Sequence, residues 1–141
     1  MRKLGIDYGD SRVGIALTDP LNITAQGLET IQRNGSDKIV LRRLDEILSE
    51  YEVDTIVVGM PLNLKGEKTV RAEVTEQFIH KLKCKYNKIK IETIDERLTT
   101  VAAHKTMNFL DINKNKKRNI VDTISAVYIL ETYINKNDPK S

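Results

Sequence analysis

Lys3-Leu4-Gly5-Ile6-Asp7-Tyr8-Gly9, followed by Arg12-Val13-Gly14-Ile15-Ala16-Leu17-Thr18, is the stretch that decides the fold. The first run is apolar and stops at a glycine. The second carries Val13, Ile15 and Leu17 at a period of two, the period of a strand. The gap between them is too short for a helical crossover, so the two runs pair antiparallel. A turn around Asp19-Pro20 and a weaker strand over residues 26–32 extend the pair into a three-stranded meander.

Downstream the period changes. Ser36 is a good N-cap, and beyond it Val40, Leu41, Leu44, Ile47, Leu48 and Tyr51 recur at helical spacing. Thr55-Ile56-Val57-Val58-Gly59 is a continuous apolar run, as expected of a strand buried on both faces, and Pro61 stops it. Val70, Val74, Phe78 and Leu82 make a second helical stripe, and Ile89, Ile91 and Ile94 mark a strand ending at Asp95-Glu96. Thr99 or Thr100 caps a third helix that runs to about Leu110. A polar linker over 111–119 leads to a last helix over about 120–134. Strands separated by helices pair in parallel through right-handed crossovers. The expected architecture is α/β: a mixed five-stranded sheet with helices on both faces, in a single domain over 1–135 with a frayed tail over 136–141.

Composition agrees with one packed domain. The chain has 141 residues, 40% hydrophobic and 30% charged, which argues against disorder. A single cysteine, Cys84, excludes an internal disulfide and a multi-cysteine zinc site. No apolar run approaches the roughly 18 residues of a membrane span. Asp7 arrives before a signal-peptide apolar region could form. No membrane partner and a cytoplasmic location are expected.

Three acidic features stand out. Asp7 interrupts an apolar strand, and a carboxylate there is costly unless paired or met by a cation. Asp122 shares one helical face with Ala126, Ile129 and Tyr133, a core-facing spacing. Asp95-Glu96 follows a strand directly, and ligand sites in open α/β sheets lie beyond the carboxyl ends of parallel strands. Adjacent residues of an extended segment point opposite ways, so one of Asp95 and Glu96 faces the sheet centre and the other does not. Taken singly, Asp7 reads as a turn aspartate, Asp122 as a first-turn helix acid and Asp95-Glu96 as an acidic pair before a helix. Together they converge on one edge of the sheet and need cations. Carboxylates with retained water suit Mg²⁺ or Mn²⁺. Two such ions clamp an in-line phosphoryl displacement, so the expected substrate is a phosphodiester. His80 and His104 lack metal-ligand spacing and read as surface or edge histidines.

The basic residues add a second line. Arg12 and Arg97 flank the acidic motifs, and Lys114, Lys116, Lys117 and Arg118 lead directly to Asp122. A polyanion meeting such residues releases counterions. Lys81, Lys83, Lys85, Lys88 and Lys90 form another cluster, which a solvated surface explains equally well.

Gly5-Ile6-Asp7-Tyr8-Gly9 with Arg12-Val13-Gly14-Ile15-Ala16, Val58-Gly59-Met60-Pro61-Leu62-Asn63, Asp95-Glu96-Arg97-Leu98-Thr99-Thr100 and Val121-Asp122 with Ile129-Leu130 form four ordered blocks. Together they resemble the YqgF family of Holliday junction resolvase-like proteins, also called pre-16S rRNA nucleases. The resemblance spans Leu4 to about Tyr133. It implies a ribonuclease H-like fold, a bacterial cytoplasmic protein and metal-dependent cleavage in maturing the 5′ end of 16S rRNA. Carried over by position, Asp7, Glu96 and Asp122 are the catalytic and metal-binding acids, with Asp95 the less favoured partner of Glu96. Ser11 stands where the family often has a basic residue, and Ser125 where a small apolar residue is usual.

The expected cofactor is Mg²⁺ or Mn²⁺, two ions, and the expected partner is nucleic acid, structured RNA or branched DNA. The alternatives are a Holliday junction resolvase in DNA recombination and repair, or a non-catalytic nucleic-acid-binding module on the same fold. The oligomeric state is left open between a monomer and a weak homodimer. An actin-like or sugar-kinase-type ATPase closes a cleft between two such domains, and this chain holds one.

Overall fold

The computed structural model describes residues 1–63, 65–96 and 114–136, with side chains in the last segment described from residue 123 onward. Five strands, β1 (Arg2–Tyr8), β2 (Arg12–Thr18), β3 (Ala25–Gln32), β4 (Val53–Met60) and β5 (Lys90–Asp95), form one sheet in the order β3-β2-β1-β4-β5. β1, β2 and β3 run antiparallel to their neighbours, and β1, β4 and β5 run parallel. The central strand β1 is therefore the seam of the mixed sheet. Its carboxyl end lies beside those of β4 and β5, where an open α/β sheet offers a site.

Strand alternation divides the core in two. On one face Leu4, Ile6 and Tyr8 of β1 join Ile56 and Val58 of β4. Helix α1 (Asp37–Glu50) covers this face with Val40, Leu44 and Ile47, and helix α2 (Val70–Lys85) with Phe78, Ile79 and Leu82. Both helices start at side-chain caps. Ser36 Oγ accepts from Lys38 N at 3.2 Å, and Thr69 Oγ1 accepts from Ala72 N at 3.3 Å. Val70, expected in the buried stripe of α2, is 77% exposed. It is the first helical residue, ahead of the face that meets the sheet, which begins at Ala72.

The opposite face of the sheet presents Ala16, Val57 and Ile94 to Ala126, Ile129 and Leu130 of α3 (Lys114–Lys136). Helices thus lie on both faces, as expected. The start of α3 corrects the expected linker: Lys114, Lys116, Lys117 and Arg118 belong to the first turns of this helix, not to a loop. The stretch has no apolar face, but Lys and Arg are good helix formers and extend the helix backwards from its packed half. The helix expected from Thr99 or Thr100 to about Leu110 lies outside the described residues, as does the expected tail over 136–141 except for Lys136, which is the last residue of α3 rather than frayed.

Candidate active site

The site grows from the register of three parallel strands. Ile6 of β1 is level with Val58 of β4, so Asp7 is level with Gly59. Gly59 in turn pairs with Ile94 of β5. Gly5, Val57 and Ile94 face α3, so Asp7 and Gly59 face it too, and Glu96, two residues past Ile94, returns to that side. Asp95, paired with Met60, falls on the alternate face. The strand register thus separates the two neighbouring acids that alternation alone leaves undecided.

Two glycines let these parts close. A β-carbon on Gly59 would lie 2.6 Å from Cγ and Oε1 of Glu96 and 2.6 Å from Cδ1 of Ile129. The bare backbone of β4 is therefore the floor over which Glu96 reaches toward Asp7. A β-carbon on Gly5 would lie 2.6 Å from Cγ of Leu130 and 2.8 Å from the carbonyl oxygen of Ala126. This close approach of α3 to β1 sets Ser125 beside Asp7.

The electrostatics follow. Burial, then a hydrogen bond and charge repulsion from Glu96, hold the Asp7 carboxyl well above the usual carboxylate range. The Arg71 guanidinium and the Ser125 hydroxyl, which donates to the carboxylate, pull it partly back. Arg71, in the first turn of α2, donates from Nη2 to the carbonyl of Tyr8 at 2.8 Å and from Nη1 to Asp10 Oδ1 at 2.6 Å. Neither Arg71 nor the Asp7–Ser125 contact is legible in the sequence. Arg71 sits in no acidic or basic motif, and the signal at Ser125 is its small size on the stripe that carries Asp122.

Asp7 and Glu96 thus meet in the structure. Asp122 lies in α3 one turn before Ser125 and Ala126; its side chain, like Arg97, is outside the described residues. Among the described residues no three His, Cys, Asp or Glu side chains cluster as a metal site. The donor chemistry of the Asp7–Glu96 pair nevertheless fits a hard divalent cation. Both groups are carboxyls, they face one another, and the nearby Arg71 guanidinium offsets their repulsion only in part. The lysines of α2 and β5 are largely engaged within the chain. Lys81 pairs with Asp37 at 2.7 Å, Lys85 with Asp45 at 2.8 Å and Lys90 with Glu92 at 2.9 Å. Two clefts of about 280 and 240 Å³, both bordered by Arg2, Pro20 and Tyr51, lie at the amino ends of β1 and β4, away from these acids.

The fold and this site define a class. Among solved structures, the chain is similar to the fowlpox virus Holliday junction resolvase, with a TM-score of 0.57 and 13% identity over 96% of this chain and 99% of that one. It is also similar to Thermus thermophilus RuvC in complex with a Holliday junction substrate, with a TM-score of 0.56 and 13% identity over 97% and 96%. The fold is ribonuclease H-like. The model of one family, described as RuvX, Holliday junction resolvase, matches residues 1–136, and the chain belongs to this family of nucleases, which are phosphodiester hydrolases. A protein of Ruminiclostridium cellulolyticum named "Putative pre-16S rRNA nuclease" is 53% identical over 96% of this chain and 95% of its own length. One of the same name from Acetivibrio thermocellus is 50% identical over 95% of each.

Proposed function

We propose that the chain is a divalent-metal-dependent nuclease that acts in maturing the 5′ end of 16S rRNA. The single observation that carries this reading is the meeting of Asp7 and Glu96 over the bare backbone of Gly59. Asp7, Glu96 and Asp122 are the proposed catalytic and metal-binding acids, and the ions are Mg²⁺ or Mn²⁺, two of them. When bound, such ions supply Lewis acidity for an in-line phosphoryl displacement. Asp7 comes from β1 and Glu96 directly follows the end of β5, so the sheet fixes where both backbones lie and preorganises their spacing. Ser125 orients the Asp7 carboxylate by its hydrogen bond. The names of the relatives from R. cellulolyticum and A. thermocellus support rRNA as the substrate. Among the described residues no helix is long and apolar enough to cross a membrane, and action on pre-rRNA goes with a cytoplasmic location.

Arg12, Arg97, Lys114, Lys116, Lys117 and Arg118 are proposed to hold the substrate backbone. The start of α3 adds its own dipole, which favours anions. Replacing Lys116, Lys117 and Arg118 together with Ala should weaken binding to all sequences alike. It should also flatten the slope of log affinity on log salt by roughly 0.7–0.9 for each phosphate that the variant no longer neutralises.

The description of the family favours a second reading, resolution of a four-way DNA junction. One experiment separates them. A pre-16S rRNA leader and a four-way DNA junction are incubated with the wild type, Asp7→Asn and Asp122→Asn, each with Mg²⁺, Mn²⁺ or EDTA. The proposal expects cleavage of the RNA with either metal, none in EDTA, and a loss of at least roughly 10²–10³-fold in each variant. Cleavage confined to the junction supports the second reading, and cleavage surviving in EDTA refutes the metal mechanism.

A further inference from the structure

The turn that follows Asp7 is held by two arginines. Arg33 Nη1 donates to the carbonyl of Asp10 at 3.0 Å, and Arg71 Nη2 donates to the carbonyl of Tyr8 at 2.8 Å. Both are bonds to backbone, and they anchor the turn. The second arm of Arg71 is different. Its Nη1 meets the side chain of Asp10 at 2.6 Å, and that carboxylate is 80% exposed. An ion pair so open to water contributes little and exchanges readily. A guanidinium fixed at one nitrogen and loosely held at the other is set to receive a different anion in the same geometry, and a phosphodiester oxygen fits it as a carboxylate does. Arg71 is also the cation whose charge reaches Asp7. Its exchangeable arm therefore lies beside the proposed reacting centre, not on a remote surface.

We propose that Arg71 binds a backbone phosphate of the substrate next to the reacting one, and that Asp10 occupies its guanidinium in the free protein as a displaceable substitute for that phosphate. The assignment rests on the nuclease reading above and names a residue outside its acidic and basic motifs. On binding, Nη1 passes from Asp10 to the phosphate while Nη2 stays on the Tyr8 carbonyl. The arriving strand is thereby indexed to the carbonyl of the residue that follows Asp7. Asp10, released into water, opposes non-cognate contacts by its own negative charge.

Binding of a fluorescein-labelled RNA oligonucleotide, measured in EDTA so that no cleavage intervenes and at several salt concentrations, tests this. Arg71→Ala should weaken binding about tenfold, the range of a charge-assisted hydrogen bond. It should also flatten the slope of log affinity on log salt by roughly 0.7, the value for one phosphate on a single strand. Asp10→Asn, at an exposed position that leaves the fold intact, should tighten binding roughly two- to fivefold. That gain should vanish when Arg71 is also replaced by Ala. Arg71→Lys, which keeps the charge and loses the fork, should retain the salt slope and bind more weakly than wild type, and it carries the test if the alanine variant fails to fold. An unchanged salt slope in Arg71→Ala overturns the proposal. So does a gain from Asp10→Asn that is equal with and without Arg71, because simple removal of a negative charge would produce it. A wild-type protein that binds no RNA overturns the rRNA reading, and this assignment with it.

Discussion

Asp7 and Tyr8 are neighbours on β1, and they open onto opposite faces of the sheet with opposite electrostatic outcomes. Behind Tyr8, one carboxylate is fully supplied. Asp37 accepts from the Tyr8 hydroxyl at 2.5 Å, from Arg33 Nε at 2.8 Å and from Lys81 Nζ at 2.7 Å. Arg33 also lies over the Tyr8 ring, which stacks on Phe78 at 4.2 Å. Burial works against the Asp37 charge, but these three donors outweigh it and hold the carboxyl down at about 2. Around Asp7 two carboxyls meet instead, and Arg71 and Ser125 only partly offset their repulsion. The first arrangement is what a fold builds when it needs an acid for stability. The second lowers stability, and it is expected where a ligand cation completes the site.

The largest expected effect follows from breaking the functional side without touching its acids. Gly59→Ala adds a methyl group 2.6 Å from the Glu96 side chain and from Ile129. Ile129 is packed in the core, so the longer, unbranched Glu96 side chain is the neighbour that shifts, and its hydrogen bond to Asp7 shifts with it. Catalytic groups displaced by about 1 Å lose on the order of 10² in rate. Cleavage by Gly59→Ala should fall by about that factor while overpacking costs roughly 1–3 kcal/mol in urea unfolding. A variant that unfolds more easily and cleaves at the wild-type rate would show that Glu96 does not need its seat over β4.

The structural side should break in the other sense. Asp37 has a folded pKa of about 2, below its unfolded value of about 3.9. Its contribution is present above pH 4 and is lost as pH falls from about 4 toward 2. Asp37→Asn should therefore cost roughly 2 kcal/mol at neutral pH, with the two proteins converging in acid. Cleavage per folded molecule should change far less than in Gly59→Ala. Unfolding titrations from pH 7 down to pH 2 decide it, and a constant difference between the proteins across that range would count against the charge-based account.

The same contrast explains how much the sequence reveals. Local periodicity carries the strands, α1 and most of α2, because each buries a face of its own and the pattern of that face is written consecutively. The odd position of Asp7 is legible for the same reason: it breaks such a pattern. The roles of Asp95 and Glu96 separate only when the register of β4 and β5 is known, since alternation says that they differ and not which way. Arg71 reaches the site from a distant helix through a carbonyl and an exposed carboxylate, neither of which leaves a mark in the sequence. The first turns of α3 were hidden because helix propensity, not amphipathic spacing, extends them.

The smallest effect tests the Asp7 side as a matter of stability alone. Its folded pKa is raised, chiefly by burial and then by Glu96, so the folded chain binds this proton better than the unfolded chain does. Stability is then greatest below the unfolded pKa, near 4, and falls as pH rises toward the higher folded value, remaining reduced beyond it. An amide in place of the acid removes that penalty. In EDTA at neutral pH, Asp7→Asn should be more stable than wild type by about 0.5–2 kcal/mol, a gain of the kind found where function holds a site under strain. Below pH 4 the gain should disappear, because the wild-type group is then protonated in both states. Mg²⁺ should reverse the order by stabilising wild type more than the amide, since an ion that binds only the assembled site favours the folded chain. If Asp7 were a structural acid held by donors, as Asp37 is, the amide would lose those bonds and be the less stable protein in EDTA. Urea unfolding of both chains, with EDTA and with Mg²⁺, at pH 7 and below pH 4, separates these outcomes.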